Sequence, residues 1–325
     1  MNVVVVLIVA VGCTIVPLVL DTVSTMLPKR LRASRLVAAW QKPVLFSVVI
    51  GLCGVCYFFF WAAVLPQLRR RGSAAAAAMH ALAISTFWIN GCWAYCMCVL
   101  TPPGPPNPSV DSESVDPTLE VNTRGKGTKK GKAAPHVGND GELSHFCGIC
   151  KQHVSRFDHH CPFTGGCIGE SNFRHFFLFI LHGTLGMTYG SALTWQFFSE
   201  CVLSQLRSEA LGWERRIPPD EPACLTLHSR ALLFIPAASL SGAFYMMLAL
   251  HALLLRNGLS TLQLSRLCRK RGVARAVAAL VQGQGRFEQG AFDKWALVWG
   301  APSHTASLSR IGRVLLLPSH CRPPV

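Results

Sequence analysis

The chain has 325 residues, half of them hydrophobic, with a mean hydropathy of +0.34 and a formal net charge of +15. A composition this apolar excludes a soluble domain of this size and requires integration into a bilayer. The basic residues are spread over short loops beside apolar runs and no nucleic-acid motif accompanies them, so the expected partner is the membrane and not nucleic acid.

Apolar runs of spanning length fall at residues 2–26, 43–66, 75–100, 176–198 and 231–255. They predict an α-helical integral membrane protein, a multi-span bundle of four to five transmembrane helices, with five as the simplest count. The first run lacks a basic stretch ahead of it, and Lys29, Arg30, Arg32 and Arg35 follow it directly. That pattern suits an uncleaved anchor with its N-terminus outside; cleavage would leave four spans with the same sidedness. Five spans place residues 101–175 and the tail after Arg256 in the cytosol. Arg266, Arg269, Lys270, Arg271 and Arg275 of that tail agree with the positive-inside rule, whereas Arg69, Arg70 and Arg71 fall in a lumenal turn and oppose it.

Domain boundaries follow from these runs. Residues 1–100 hold the N-terminal spans. Residues 101–143, rich in Pro, Gly, Ser and charge, form a disordered cytosolic linker. Its basic cluster at 124–132 reads first as a solvated tract and second as an attraction for an anionic leaflet. A cysteine-rich segment occupies 144–175, two further spans with a lumenal loop occupy 176–255, and a cytosolic tail occupies 256–325.

The cysteine-rich segment carries the chemistry. Phe157-Asp158-His159-His160-Cys161-Pro162 sets a thiol beside two imidazoles and a carboxylate. A neighbouring imidazole lowers a thiol pKa or takes its proton, giving a thiolate competent for acyl transfer. Cys147 and Cys150 form a CxxC upstream, and with Cys167 and one histidine they make up a tetrahedral Cys3His zinc site that leaves Cys161 free. So polar a loop has little core of its own, and a structural zinc supplies the missing folding energy. Cys53, Cys56, Cys92, Cys96 and Cys98 lie in apolar spans and read as packing residues. Cys201 and Cys224 share the lumenal loop and are placed to pair. His182 and His251 fall inside spans and are assigned to no site.

From Cys147 to Phe176 the order CxxC, Asp-His-His-Cys-Pro, Cys167-Ile168-Gly169, Asn172 and Phe176 resembles the DHHC protein S-acyltransferases, or protein palmitoyltransferases. Weaker marks extend the resemblance from Thr101 to Gly300. Thr101-Pro102-Pro103-Gly104 stands where the family has Asp-Pro-Gly. Asn257-Gly258-Leu259-Ser260-Thr261-Leu262-Gln263 is similar to the Asn-x-Thr-Thr-x-Glu motif that packs against the catalytic domain. Lys294-Trp295-Ala296-Leu297-Val298-Trp299-Gly300 is similar to a C-terminal Asn-Trp-x-x-Val-Phe-Gly element.

The resemblance implies a protein S-palmitoyltransferase. Cys161 would take a long-chain acyl group, palmitoyl or similar, from acyl-CoA and pass it to a cysteine of a membrane-associated substrate protein. His159 would be the general base, Asp158 would orient its imidazole, and His160 would face the metal with Cys147, Cys150 and Cys167. The implied setting is an endomembrane, Golgi or endoplasmic reticulum, with the active site facing the cytosol; any accessory subunit is unidentified. The chain departs from the family at a second zinc site. Ala133 and His136 stand near its first pair of ligands, Phe146 replaces a histidine and His153 a cysteine, so one zinc is expected. Phe163 replaces the usual tryptophan. Small residues, Gly183, Gly186 and Gly190 in one span and Ala238, Ser241 and Gly242 in another, leave room for an acyl chain or serve close helix packing. Arg174, Arg266 and Lys270 are placed to hold CoA phosphates or to set topology. The alternative function is an inactive zinc-containing membrane scaffold that binds partner proteins; the intact Asp-His-His-Cys run favours the enzyme.

Overall fold

A computed structural model of the protein describes residues 35–104, 144–200, 224–283, 298–299 and 311–312. The first apolar run, Cys201, the basic cluster at 124–132 and residues 294–297 lie outside the described residues. The chain divides into two compact units. One comprises residues 1–96, 177–251 and 312–319, and the other residues 97–176, 252–311 and 320–325.

The first unit is helical. Helix α1 (Arg35–Phe59) passes through a π-helical turn (Phe60–Val64) into α2 (Leu65–Arg71), and α3 (Ala74–Leu100), α4 (Phe173–Phe198) and α5 (Cys224–Asn257) follow. The π turn has a local cause: Pro66 has no N–H for the preceding turn, and its ring crowds the carbonyl four residues back. Among the described residues four segments are long and apolar enough to cross a membrane: Phe46–Arg71, Ala74–Leu100, Phe173–Phe198 and Ala237–Asn257. The protein is thus a multi-span helical membrane protein.

Polar and aromatic contacts set the helix register. Tyr57 stacks on Trp88 at 4.4 Å and its hydroxyl lies 3.0 Å from Ser85 Oγ, while Trp88 Nε1 donates to Cys53 O at 2.9 Å. Thr188 and Ser241 meet at 2.9 Å. At Gly183, close packing is what is realised, since a Cβ there would lie 2.7 Å from the Phe244 ring. His182 Nδ1 lies 2.8 Å from Leu178 O, inside its own helix. Arg71, one of the three arginines that oppose the charge rule, is paired with Glu200 at 2.8 and 2.7 Å. That partner cancels part of the discordant charge.

Among its described residues the second unit holds two short antiparallel hairpins and, after the last span, two helices. Strand β1 (Ser144–Cys147) pairs with β2 (Gln152–Ser155), and β3 (His159–Cys161) with β4 (Gly166–Ile168). Helix α6 (Thr261–Arg271) starts at a capping box: Ser260 Oγ accepts from Gln263 N, and Gln263 Oε1 accepts from Ser260 N. Gly272 at φ +83° turns the chain into α7 (Val273–Val281). The apolar core is thin, with Val154, Cys147 and Cys167 forming one buried cluster and Leu254, Leu259 and Leu280 another.

Candidate active site

Side chains on a strand point alternately to opposite faces, and this sorts the Asp-His-His-Cys run. In the β3–β4 hairpin His159 lies opposite Ile168, His160 opposite Cys167, and Cys161 opposite Gly166. His160 and Cys167 therefore share one face, and His159 and Cys161 the other.

On the first face His160 and Cys167 meet the CxxC turn. Cys147 ends β1, Lys151 N closes the turn onto Cys147 O at 2.8 Å, and Cys150 N donates to Cys147 Sγ at 3.4 Å. Lys151 follows at φ +56°, a left-handed position in which few side chains sit. His160 Nδ1 lies 3.7 Å from Cys147 Sγ, 3.3 Å from Cys150 Sγ and 3.8 Å from Cys167 Sγ, and the Cys150 and Cys167 sulfurs are 3.4 Å apart. All four donor atoms lie within 4.8 Å of one another. Around a tetrahedral zinc with its usual bond lengths, sulfur–sulfur edges are about 3.8 Å and sulfur–nitrogen edges about 3.5 Å. The four residues thus fit a metal ion in number, kind and approximate spacing. The Cys167 hydrogen bond, and after it the His160 contact, hold the Cys150 thiol down to about 4, while the same sulfur contact pushes Cys167 up.

The other face holds the thiol. Cys161 is buried, with 2% of its surface exposed, and Thr164 Oγ1 donates to its carbonyl at 3.3 Å. Burial would raise its pKa, but the hydrogen bond and charge of His159 outweigh burial and lower it. Burial likewise works against the imidazolium of His159, yet Asp158 and Cys161 together raise its pKa to about 9. The pair is therefore biased toward thiolate and imidazolium. The His159 ring also rests edge-on against Phe176, with centroids 5.0 Å apart.

Asp158 is almost fully buried and saturated with donors. His159 Nδ1 lies 2.9 Å from Oδ2, Thr261 Oγ1 donates to the same oxygen at 2.6 Å, and Thr261 N donates to Oδ1 at 3.2 Å. Its backbone is held as well, its N–H by Ile168 O at 2.9 Å and its carbonyl by Leu262 N at 3.2 Å. The carboxylate sits at the N-terminus of α6, where free amides and the helix dipole favour negative charge. In the sequence Thr261 and Ser260 carry no individual mark beyond the motif at 257–263; Ser260-x-x-Gln263, a capping-box pattern, is the signal that marks that helix start.

Asn172 ties the second hairpin to the end of α3. Its Oδ1 accepts from Gly169 N at 2.9 Å, and its Nδ2 donates to Cys167 O, Cys98 O and Thr101 O at 3.0 to 3.4 Å. Gly169 can carry no side chain: a Cβ would lie 2.6 Å from Val154 Cγ1 and closer still to Pro103 O. Phe146 and His153, which stand where the resemblance expects ligands of a second zinc, are register partners across β1–β2 with ring centroids 5.1 Å apart. Of the basic residues considered for CoA, Arg174 is buried, Arg266 half-buried and Lys270 exposed.

Residues 140–266 match the family model described as DHHC palmitoyltransferase. The chain is 25% identical over 193 residues to Palmitoyltransferase ZDHHC15 of Xenopus laevis, covering 53% of this chain and 56% of that protein. It is 31% identical over 163 residues to Probable protein S-acyltransferase 14 of Arabidopsis thaliana, covering 45% and 52%. With Palmitoyltransferase ZDHHC9 of Mus musculus it shares 54% identity over 43 residues, covering 13% and 12%. The chain thus spans about half the length of the first two relatives and a small part of the third.

Proposed function

Through residues 140–266 the chain belongs to the DHHC palmitoyltransferase family, and from that premise we propose that it is an active protein S-acyltransferase whose nucleophile is Cys161. The observation that carries this reading is the relay Asp158–His159–Cys161, in which a buried carboxylate aligns an imidazole against a thiol. Base and orienter in this order are the general arrangement for activating a nucleophile. His159 takes the Cys161 proton, Sγ attacks the acyl-CoA thioester carbonyl, and CoA leaves as its thiol with that proton. In the second step a substrate cysteine gives its proton to His159, attacks the Cys161 thioester and restores the free thiol.

Cys147, Cys150, His160 and Cys167 would hold one zinc. A bound zinc supplies folding energy to a segment with little core. Because its ligands face away from Cys161, the metal has a structural part and not a chemical one. The substrates implied are a long-chain acyl-CoA and membrane-associated proteins with an accessible cysteine. Cytosolic placement of the site suits both, since thiols stay reduced there. An endomembrane, Golgi or endoplasmic reticulum, is the proposed compartment.

The test is labelling of the purified protein with a palmitoyl-CoA analogue, with zinc measured on the same samples. Hydroxylamine-sensitive label that disappears in Cys161→Ser, with about one zinc per chain as the single Cys3His site requires, supports the reading. A folded, zinc-loaded protein that takes no label would make it a membrane scaffold.

A further inference from the structure

Helices α6 and α7 carry Arg266, Arg269, Lys270, Arg271 and Arg275 and no acidic residue. Helix α7 is two-sided. Ala276, Ala279 and Leu280 are buried, whereas Val273, Val277 and Val281, spaced to form one stripe, are 67%, 44% and 54% exposed. Three β-branched apolar residues in a row on a short exposed helix, beside a cluster of positive charge, are out of place in water.

The position of α7 identifies what meets this stripe. Leu280 packs in one cluster with Leu254 and Leu259, and Asn257 Nδ2 donates to Leu280 O at 2.9 Å. Leu254 and Asn257 belong to the last turn of the apolar segment Ala237–Asn257, so α7 is clamped to the end of a helix long enough to span. Only Gly258, Leu259 and Ser260 separate the span from α6. Exposed Arg269, Lys270 and Arg271 immediately precede the valine stripe. An apolar stripe flanked by basic residues, held at the end of such a helix, has the composition of a helix lying in the interfacial plane.

We propose that α7 docks on the bilayer itself, its valine stripe entering the headgroup boundary of an anionic leaflet and the Arg269–Lys270–Arg271 cluster meeting the lipid phosphates and carboxylates. This inference rests on the spans and not on the proposed chemistry, and it holds for an active or an inactive protein.

The test is a photo-crosslink from Val277→p-benzoylphenylalanine in the full-length protein, reconstituted in vesicles of phosphatidylcholine alone or with added phosphatidylserine. Lipid adducts that rise several-fold with phosphatidylserine, and return to the phosphatidylcholine yield in high salt or in Arg269→Ser/Lys270→Ser/Arg271→Ser, are expected because juxtamembrane attraction to anionic lipid is screened by salt. Adducts to residues 284–325 or to another protein, equal yields in both lipids, or no adduct would overturn the proposal. Amide exchange of residues 273–281 in the unmodified protein gives an independent measurement: it should slow several-fold when phosphatidylserine is added, and an unchanged rate would count against docking.

Discussion

The hydroxyl of Thr261 and the imidazole of His159 share a single oxygen of Asp158, at 2.6 and 2.9 Å. The helix that begins four residues after the end of the last span thereby completes the environment of a motif about a hundred residues upstream. The reactive segment is not a self-contained cassette.

Thr261→Val keeps the volume and removes the hydroxyl donor. Hydrogen bonds to charged groups contribute about 1.5–3 kcal/mol, so looser aim of Asp158 should slow Cys161 autoacylation by about tenfold or more. Thr261→Ser should stay near the wild-type rate, and metal content should be unchanged in both. Single-turnover labelling measures this, and equal rates for Val and Ser would show that the backbone contacts of Asp158 suffice.

His159→Ala removes the proposed base and leaves the thiol and the proposed metal ligands in place. General-base contributions are on the order of 10²- to 10⁴-fold, and the autoacylation rate should fall within that range. Asp158→Asn should fall too, because an amide can offer its N–H to the ring and select the wrong tautomer. Rates close to wild type for His159→Ala would remove it from the mechanism.

Alternation along β3 puts the proposed metal ligand His160 and the proposed nucleophile Cys161 on opposite faces, so variants of adjacent residues should diverge. Cys150→Ser should lose the metal and with it the amide-exchange protection of residues 144–168. Cys161→Ser should keep both and lose only the acyl label. Metal analysis and exchange on the same preparations decide this; metal loss in Cys161→Ser would place that thiol among the ligands.

The Phe146–His153 pair should stabilise the β1–β2 hairpin by its own packing. Cross-strand aromatic pairs contribute about 0.5–1.5 kcal/mol beyond their buried area. Phe146→Ala should therefore lower the unfolding midpoint of the module while leaving the metal count as it was. A parallel loss of metal would mean that the hairpin and the metal cluster unfold together.

The site was legible where its chemistry is written locally. Asp158, His159, His160, Cys161 and the three outer cysteines lie within 21 residues, and a two-residue strand period is enough to assign their faces. Long apolar runs marked the spans for the same reason, each carrying its own length criterion. The resemblance of residues 257–263 implies packing against the segment of Asp158, but the particular bonds of Thr261 to Asp158 and of Asn172 to Cys98 O depend on how distant span ends are brought together. The crowding at Gly169 is hidden in the same way: only the fold puts Pro103 O and Val154 against its α-carbon. The capping box of Ser260 and Gln263 accounts for the helix start, but not for which anion sits there.

The single amide of Asn172 also bears on how the gene product tolerates change. By holding Cys98 O and Thr101 O on one side and Cys167 O and Gly169 N on the other, it joins the end of α3 to the β3–β4 hairpin through one side chain. A replacement that can only donate or only accept, such as Asn172→Asp, should therefore free one side from the other, so that a change at a residue with no part in the chemistry is felt along the whole β3–β4 hairpin.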